Sequence, residues 1–396
     1  MKKLSAFLLS LAMVAGLLAG CGEKPAESGG QDAASGDKVV KIGVFEPQSG
    51  DNGAGGKQEI LGMQYANQET PTVDIGGETY TVELVYADNQ SSNDKAPSAA
   101  QTLVSDGVSI VLGSYGSGVS IAASDTFGDA GVPAVGVTCT NPNVTAGNDH
   151  YFRICFLDPF QGTVLANFSK DNGATKAYCL AKQGDDYSVG LCNYFMEAFG
   201  QDACVYETFP EGTSDYSSYV TNAKNSGAQV FFAPVSTEAA ALIIDQAATQ
   251  SLGMPILAGD TWDSNVITSA AQGKDVDINV TTFYQEGGNP SFDDGIKAWI
   301  NSDSTALANN GGNDMIAAVT AMGYDAYYVA LEALKAAGAT DPAAVMAALP
   351  DVEYDGVSGH IAFDDVNGDA IRDVAYVKHC NTESGAWEFV AQQGVN

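Results

Sequence analysis

Four polar residues lie at or shortly after the ends of predicted β-strands, at positions where small ligands are often bound. They are Ser117, Thr138, Thr140 and Asp260. Ser117 precedes a predicted helix, where free backbone N–H groups and the helix dipole favour an anion. Thr140 can donate through its hydroxyl and its backbone N–H, whereas Asp260 offers a carboxylate to a cation. The set therefore predicts a zwitterion site, with a ligand carboxylate at Ser117 and Thr140 and its ammonium at Asp260. Each residue alone also fits a structural role, either as a helix cap or in a turn.

The elements that must position these residues form two runs of alternating strands and helices. The predicted strands are 39–45, 80–87, 109–112 and 132–138 in the first run, and 177–181, 205–209, 230–233 and 255–257 in the second. Such alternation predicts parallel sheets with helices on both faces. We therefore expect an α/β fold of two doubly wound lobes. Ligands of such sheets bind beyond the carboxyl ends of the strands, which is where the four polar residues stand.

Three glycine-rich loops fail the patterns of nucleotide, nucleophile and calcium sites. Residues 50–58 lack the Gly and the Ser or Thr of a P-loop, since Asp51 and Gln58 occupy those positions. Residues 113–118 fit neither GxGxxG nor GxSxG. Residues 365–369 place their Gly one position too early for a calcium loop, and no Glu closes it. We therefore expect a binding protein rather than an enzyme, without a cofactor or metal.

The charge balance narrows the choice of partners. The chain has 396 residues, with 49 acidic and 17 basic side chains and a net charge of −32. Nucleic-acid binding and electrostatic attachment to anionic membranes both depend on Lys and Arg. Neither kind of partner suits this chain.

Residues 1–20 have the pattern of a secretory signal. Lys2 and Lys3 precede an apolar stretch that ends in Leu-Ala-Gly-Cys at Cys21. This end resembles the bacterial lipobox, and the resemblance implies that Cys21 becomes a lipid-bearing N-terminus. Residues 21–38 are rich in Gly, Ser, Ala and charge, and they predict a flexible tether. Without residues 1–20 the chain keeps 15 basic and 49 acidic side chains, a charge of −34.

The remaining cysteines do not define a metal or redox motif. They are Cys139, Cys155, Cys179, Cys192, Cys204 and Cys380, and no two have the close spacing of such motifs. Cys179 and Cys204 stand in consecutive predicted strands and are possible neighbours. Their pairing is left open, with buried thiols as the main expectation.

Several segments resemble the substrate-binding lipoproteins of branched-chain amino-acid ABC transporters, the leucine/isoleucine/valine-binding family. The resemblance covers residues 39–392 and is carried by VVKIGVFEPQSG, GKQEILGMQYANQE, VSIVLGSYGSGVSIAASD, VPAVGVTCTNP, YFRICFLDPFQG, ILAGDTWDSN, AVTAMGYDAYYVALEAL and GVSGHIAFDDVNGD. It implies a type I periplasmic-binding-protein fold, in which a three-strand hinge joins two lobes. The lobes would comprise 39–158 plus 285–357, and 159–284 plus 358–396.

The resemblance also implies roles for individual residues. Ser117 and Thr140 would hold the ligand carboxylate, and the Thr138 carbonyl, the Thr140 hydroxyl and Asp260 the ammonium. The pocket would be lined by Tyr115, Gly116 and Cys139, with Asp158 at the lobe crossover and Tyr187 closing from the second lobe. The chain departs from the pattern at Gly55 and near Val235, where the family often has aromatic residues. Trp262 and Tyr284 are the candidates to replace them.

The function implied is capture of a branched-chain or similar neutral amino acid by hinge closure and its delivery to an ABC transporter permease. We expect a monomer, lipid-anchored on the extracytoplasmic face of the membrane. The alternatives are a sensor or receptor-type protein that binds an amide, urea or an aromatic acid, and an enzyme.

Overall fold

Two parallel-rich sheets form the framework of residues 38–394, the part of the chain that the computed structural model describes. The predicted signal segment, Cys21 and most of the tether lie outside these residues. The first sheet has six strands and the second has seven. A two-stranded hairpin near the C-terminal end of the described residues stands apart from both. We call the units around the two large sheets the first and the second lobe.

The strands have the following bounds: β1 Val39–Glu46, β2 Thr72–Ile75, β3 Glu78–Asp88, β4 Ile110–Leu112, β5 Ala134–Gly136, β6 Tyr151–Arg153, β7 Ala177–Lys182, β8 Cys204–Phe209, β9 Val230–Phe232, β10 Ile256–Ala258, β11 Ile278–Thr282, β12 Glu353–Gly356, β13 Gly359–Ala362, β14 Ala375–Asn381 and β15 Ala386–Gln393. The helices are α1 Gly53–Glu69, α2 Ala96–Asp106, α3 Ser117–Ala130, α4 Asp158–Asp171, α5 Asp186–Phe199, α6 Ser217–Ser226, α7 Thr237–Thr249, α8 Asn265–Ala271, α9 Pro290–Ser302, α10 Ser304–Asn309, α11 Ala318–Ala337 and α12 Pro342–Ala348.

The strand order is β2-β3-β1-β4-β5-β6 in the first sheet and β15-β14-β11-β10-β9-β7-β8 in the second, and parallel pairing dominates the centre of each. Strand β1 pairs in parallel with β3 and β4, and β7 pairs in parallel with β8 and β9. The antiparallel pairs lie at the edges, between β2 and β3 and among β11, β14 and β15. Central strands such as β4 are buried along their whole length, which explains their unbroken apolar sequences. The predicted α/β class with two doubly wound sheets is confirmed.

The chain passes between the lobes three times. It leaves the first sheet after β6 and enters the second sheet at β7. After β11 it returns to the first lobe, where α11 packs against α1. It enters the second sheet again at β14. The hairpin of β12 and β13 precedes this third passage, and the predicted lobe boundary at residue 357 falls in the hairpin turn.

Close packing of α1 against α11 requires glycine on both helices. A Cβ at Gly62 would overlap the Thr320 carbonyl oxygen and lie 2.6 Å from the Tyr324 nitrogen. A Cβ at Gly323 would likewise overlap the Glu59 carbonyl oxygen. The absence of side chains at these positions lets the backbones of the two helices touch.

Candidate functional site

Ser117 is the first residue of α3, whereas the sequence pattern predicts it just before the helix. Its hydroxyl is buried and accepts a hydrogen bond from the Asn141 N–H at 3.1 Å. The hydroxyl proton is therefore free to be donated. Gly116 provides the helix cap with extended backbone and no side chain. The first N–H groups of a helix have no partner within it, so this end of α3 offers several donors to an anion.

Thr140 lies on the loop after β5, beside the start of α3. Its carbonyl accepts from the Asp158 N–H at 3.0 Å. Its hydroxyl is buried and has no hydrogen-bond partner among the described residues. An unpartnered buried hydroxyl is costly, which indicates a group that awaits a ligand.

The two residues before Thr140 use their side chains within the first lobe. The Thr138 hydroxyl donates to Glu59 Oε2 at 2.9 Å, and the Cys139 thiol is buried in that lobe's core. The Cys139 carbonyl accepts from the Arg153 guanidinium at 2.8 Å.

Asp260 brings a carboxylate to the cleft from the second lobe. It opens a short 3₁₀ turn, Asp260–Trp262, after β10. Its Oδ1 accepts from Gln161 Nε2 at 2.8 Å and from the Tyr187 hydroxyl at 2.9 Å. Burial raises the pKa of Asp260 to about 6, and these two hydrogen bonds oppose the rise. A bound cation would stabilise the ionised form further.

The neighbouring aromatic residues differ in their placement. Tyr187 lies in the cleft, since it lines a small cavity there and contacts Asp260. The structure places the Trp262 side chain in the hydrophobic core of the second lobe, where its indole N–H donates to the Val235 carbonyl at 3.0 Å. Tyr284 donates to Asp293 Oδ1 at 2.6 Å.

Three further buried carboxyl groups surround the site. Glu46 and Glu59 lie in the first lobe, and burial raises the pKa of each well above its ordinary value. Their mutual repulsion adds to this for Glu46, as the charge of Asp260 does for Glu59. Burial also raises the pKa of Asp158 to about 8, opposed by the adjacent Thr140 hydroxyl. Both Asp158 carboxyl oxygens and the Thr140 hydroxyl are buried without a geometrically formed hydrogen bond among the described residues.

Sequence reasoning missed Glu46, Glu59 and Gln161 as parts of this environment. The one available signal was Glu46, an acidic residue that immediately follows the apolar strand 39–45. Two buried cations that could have balanced the carboxyl groups are already paired: Arg153 with Asp369 at 2.6 Å and Lys378 with Asp263 at 2.9 Å. The site therefore favours a ligand that carries its own positive charge.

The two lobes meet across the cleft through polar contacts. The Tyr115 hydroxyl donates to the Thr261 carbonyl at 3.0 Å, and Asn141 Nδ2 donates to the Asp186 carbonyl at 2.7 Å. At the outer rim Lys182 pairs with Asp51 at 2.7 Å. A cavity of about 50 Å³ lies between the lobes, lined by Tyr115, Ser117, Tyr187 and Thr261 among others. The structure thus has the lobes closed over the site.

Within residues 38–394, no cluster of His, Cys, Asp and Glu has the geometry to hold a metal ion. In the same part of the chain, no helix combines the length and the apolar character needed to cross a membrane. All six cysteines of this part carry free thiols, although Cys179 and Cys204 lie on the paired strands β7 and β8.

Two α/β lobes that close over a polar cleft define a ligand-binding protein of the hinged, two-lobed class. The chain belongs to the periplasmic binding protein family, whose model matches residues 39–384. The family and fold are those of extracytoplasmic solute-binding proteins rather than enzymes.

Individual relatives cover most of the chain. A Leu/Ile/Val-binding protein homologue of Brucella abortus is 29% identical over 332 residues, which is 82% of this chain and 86% of that protein. The leucine-binding protein LivK of Thermotoga maritima is 31% identical, with a TM-score of 0.77 over 90% of this chain and 99% of that one. The branched-chain amino-acid binding protein LivJ of Streptococcus pneumoniae, solved with isoleucine, is 25% identical, with the same TM-score and coverage.

Proposed function

We propose that the protein captures a free amino acid between its lobes and delivers it to the permease of an ABC transporter. The observation that supports this proposal is that the donor groups and the buried acceptor belong to different lobes of one closed structure. Ser117 and Thr140 present donors from the first lobe, and Asp260 presents a buried acceptor from the second. An α-amino acid has a carboxylate and an ammonium one carbon apart and satisfies both. The names of the relatives, which include leucine and isoleucine binders, support the same class of ligand.

The ligand would hold the lobes together. A ligand shifts a conformational equilibrium only if it binds one state better than the other. Ser117 and Thr140 move with the first lobe, whereas Asp260 moves with the second, so all three can grip one molecule only when the cleft is closed. Hinge closure of this kind buries the ligand and creates a distinct closed surface for a membrane partner to recognise.

We further propose that the protein is tethered to the outer face of the cytoplasmic membrane through lipid on Cys21, as a monomer. The sequence Leu18-Ala19-Gly20-Cys21 and the polar tether that follows support this. Several acyl chains on one residue contribute about 0.8 kcal/mol per buried methylene, which is enough for stable anchoring. Cys21→Ala is expected to release the protein from the membrane fraction, and its retention there would refute lipidation.

The test of the binding function is a thermal-shift panel. The full chain is unfolded and refolded to remove any co-purified ligand, and then melted with each common amino acid, acetamide, urea and benzoate. A ligand that binds only the native state increases the free energy of unfolding by mass action, by about 2.7 kcal/mol at a ligand concentration of a hundred times its Kd. The unfolding temperature rises as a result. We expect a shift with at least one amino acid. Shifts with benzoate or the amides alone would refute the zwitterion site.

A further inference from the structure

Tyr115 spans the cleft beside the proposed ligand groups. Its N–H donates to Glu46 Oε2 at 2.7 Å, and its hydroxyl donates to the Thr261 carbonyl at 3.0 Å. It precedes Ser117 by two residues, while Thr261 directly follows Asp260. The ring therefore runs from the anion end of the site in the first lobe to the ammonium end in the second. Any side chain on the α-carbon of a bound amino acid must share this space with the ring.

The ring has little freedom to move aside. Helix α1 lies directly behind it, because a Cβ built at Gly55 would be 2.5 Å from the ring carbon Cε2 and 2.7 Å from the phenolic oxygen. Ala317 and Val319 pack against the same tyrosine to form a small apolar cluster. Because Tyr115 is held by hydrogen bonds at both ends and by helix α1 from behind, the ring acts as a fixed wall.

The space that remains beside this wall is small. The cavity measures about 50 Å³. For comparison, a cavity measured in the same way needs about 10–15 Å³ to hold one water molecule, and an apolar cavity of about 150 Å³ accommodates benzene. Its lining combines polar side chains such as Asn52 and Asn93 with apolar ones such as Pro47 and Val119, so its size rather than its polarity limits a ligand side chain.

We propose that Tyr115 restricts this site to amino acids with small side chains, namely glycine, alanine, serine and threonine. This inference rests on the proposed function, since it specifies the ligand of that same site. The aromatic ring at 115 and the bare backbone at 55 act together. A side chain at position 55 would collide with the ring, and the ring takes the place of a larger ligand side chain.

The test is isothermal titration calorimetry on the refolded full chain with glycine, L-alanine, L-serine, L-threonine, L-leucine and L-isoleucine. One additional methylene changes discrimination by about 10- to 200-fold in a tight pocket. We therefore expect the best small amino acid to bind on the order of a hundredfold more tightly than leucine. Leucine or isoleucine binding as tightly as the small amino acids would overturn the proposal but leave the amino-acid function intact. Binding of none of the six would also overturn the proposal, and the amino-acid function would fall with it only if the thermal-shift panel showed no shift with any common amino acid.

Two variants test the role of the ring itself. Tyr115→Ala opens the wall and is expected to bring leucine binding to within tenfold of alanine binding. Tyr115→Phe keeps the ring, loses only the bond to Thr261, and is expected to preserve the preference for small ligands with weaker affinity overall. If Tyr115→Phe accepted leucine as readily as Tyr115→Ala does, the ring would not be the determinant. Because the titrations of the unmodified chain need no variant, the proposal is testable even if Tyr115→Ala fails to fold.

Discussion

Replacing Asp260 by Asn removes the negative charge that the ligand ammonium is proposed to meet, while keeping the shape of the side chain. The amide oxygen can still accept from Gln161 and Tyr187, which bond to Oδ1 in the native protein. A hydrogen bond to a charged group contributes about 1.5–3 kcal/mol. We therefore expect Asp260→Asn to weaken amino-acid binding on the order of a hundredfold at pH 7, measured by isothermal titration calorimetry.

The same substitution is expected to stabilise the ligand-free protein. Burial raises the pKa of Asp260 to about 6, above its ordinary value of 3.8. A carboxyl whose pKa is higher in the folded state stabilises the fold at low pH, and this contribution is lost as the pH rises through about 6. At pH 7 the buried charge costs on the order of 3 kcal/mol. Asp260→Asn should therefore unfold at a higher temperature than the native chain at pH 7, and the difference should shrink at pH 4.

Ligand affinity should follow the ionisation of Asp260. The ionised fraction of a carboxyl with a pKa of about 6 falls about tenfold between pH 7 and pH 5, so the Kd should rise about tenfold. Asp158, with a pKa of about 8, stays largely protonated over this range. The pH dependence should be absent in Asp260→Asn. Asp202→Asn, at an exposed position of the same lobe, serves as the control and should bind normally. Equal Kd values for Asp260→Asn and the native chain would refute the role of this carboxylate.

Three further substitutions test closure, anchoring of the carboxylate and the helix packing that supports the cleft. Lys182→Met breaks a partly exposed ion pair between the lobes and should weaken binding about two- to fivefold at low salt, less at high salt. Lys274→Met removes a pair within one lobe and should leave titrations unchanged. Thr140→Val removes an unpartnered buried hydroxyl, so calorimetry should show about tenfold weaker binding without a loss of thermal stability. Gly62→Ala forces a methyl group onto the Thr320 carbonyl and should lower the melting temperature by several degrees. An unchanged melting temperature would show that the contact between the two helices is not tight.

The framework and the main polar groups of the site follow from local sequence patterns. Alternating strand and helix signals predict both sheets, and strand ends predict where ligand groups stand. Ser117, Thr140 and Asp260 follow from this pattern as candidate ligand groups. In the structure Ser117 and Tyr187 line one cavity, and Asp260 accepts a hydrogen bond from Tyr187. The family resemblance then added the two-lobed architecture and the opposing placement of these residues.

Features that depend on contacts between distant elements were not predictable. Gln161 on α4 and Asp260 after β10 are 99 residues apart in the sequence, so their hydrogen bond depends on tertiary packing that no local pattern reveals. Trp262 lies in a 3₁₀ turn of three residues, too short for a periodic pattern to indicate whether its side chain faces the cleft or the core. The wall formed by Tyr115 depends on how closely α1 approaches the Tyr115 ring. The glycine at position 55 permits this approach, but its presence in the sequence does not reveal it.

A crystal structure of the protein with its tightest-binding amino acid tests the central claim most directly. We predict a ligand carboxylate within hydrogen-bond distance of the Ser117 and Thr140 groups, and an ammonium within about 3 Å of an Asp260 oxygen. The lobes should be closed as they are here, with the Tyr115 hydroxyl still bonded to the Thr261 carbonyl. A ligand bound outside this cleft, or one whose ammonium does not contact Asp260, would contradict the account.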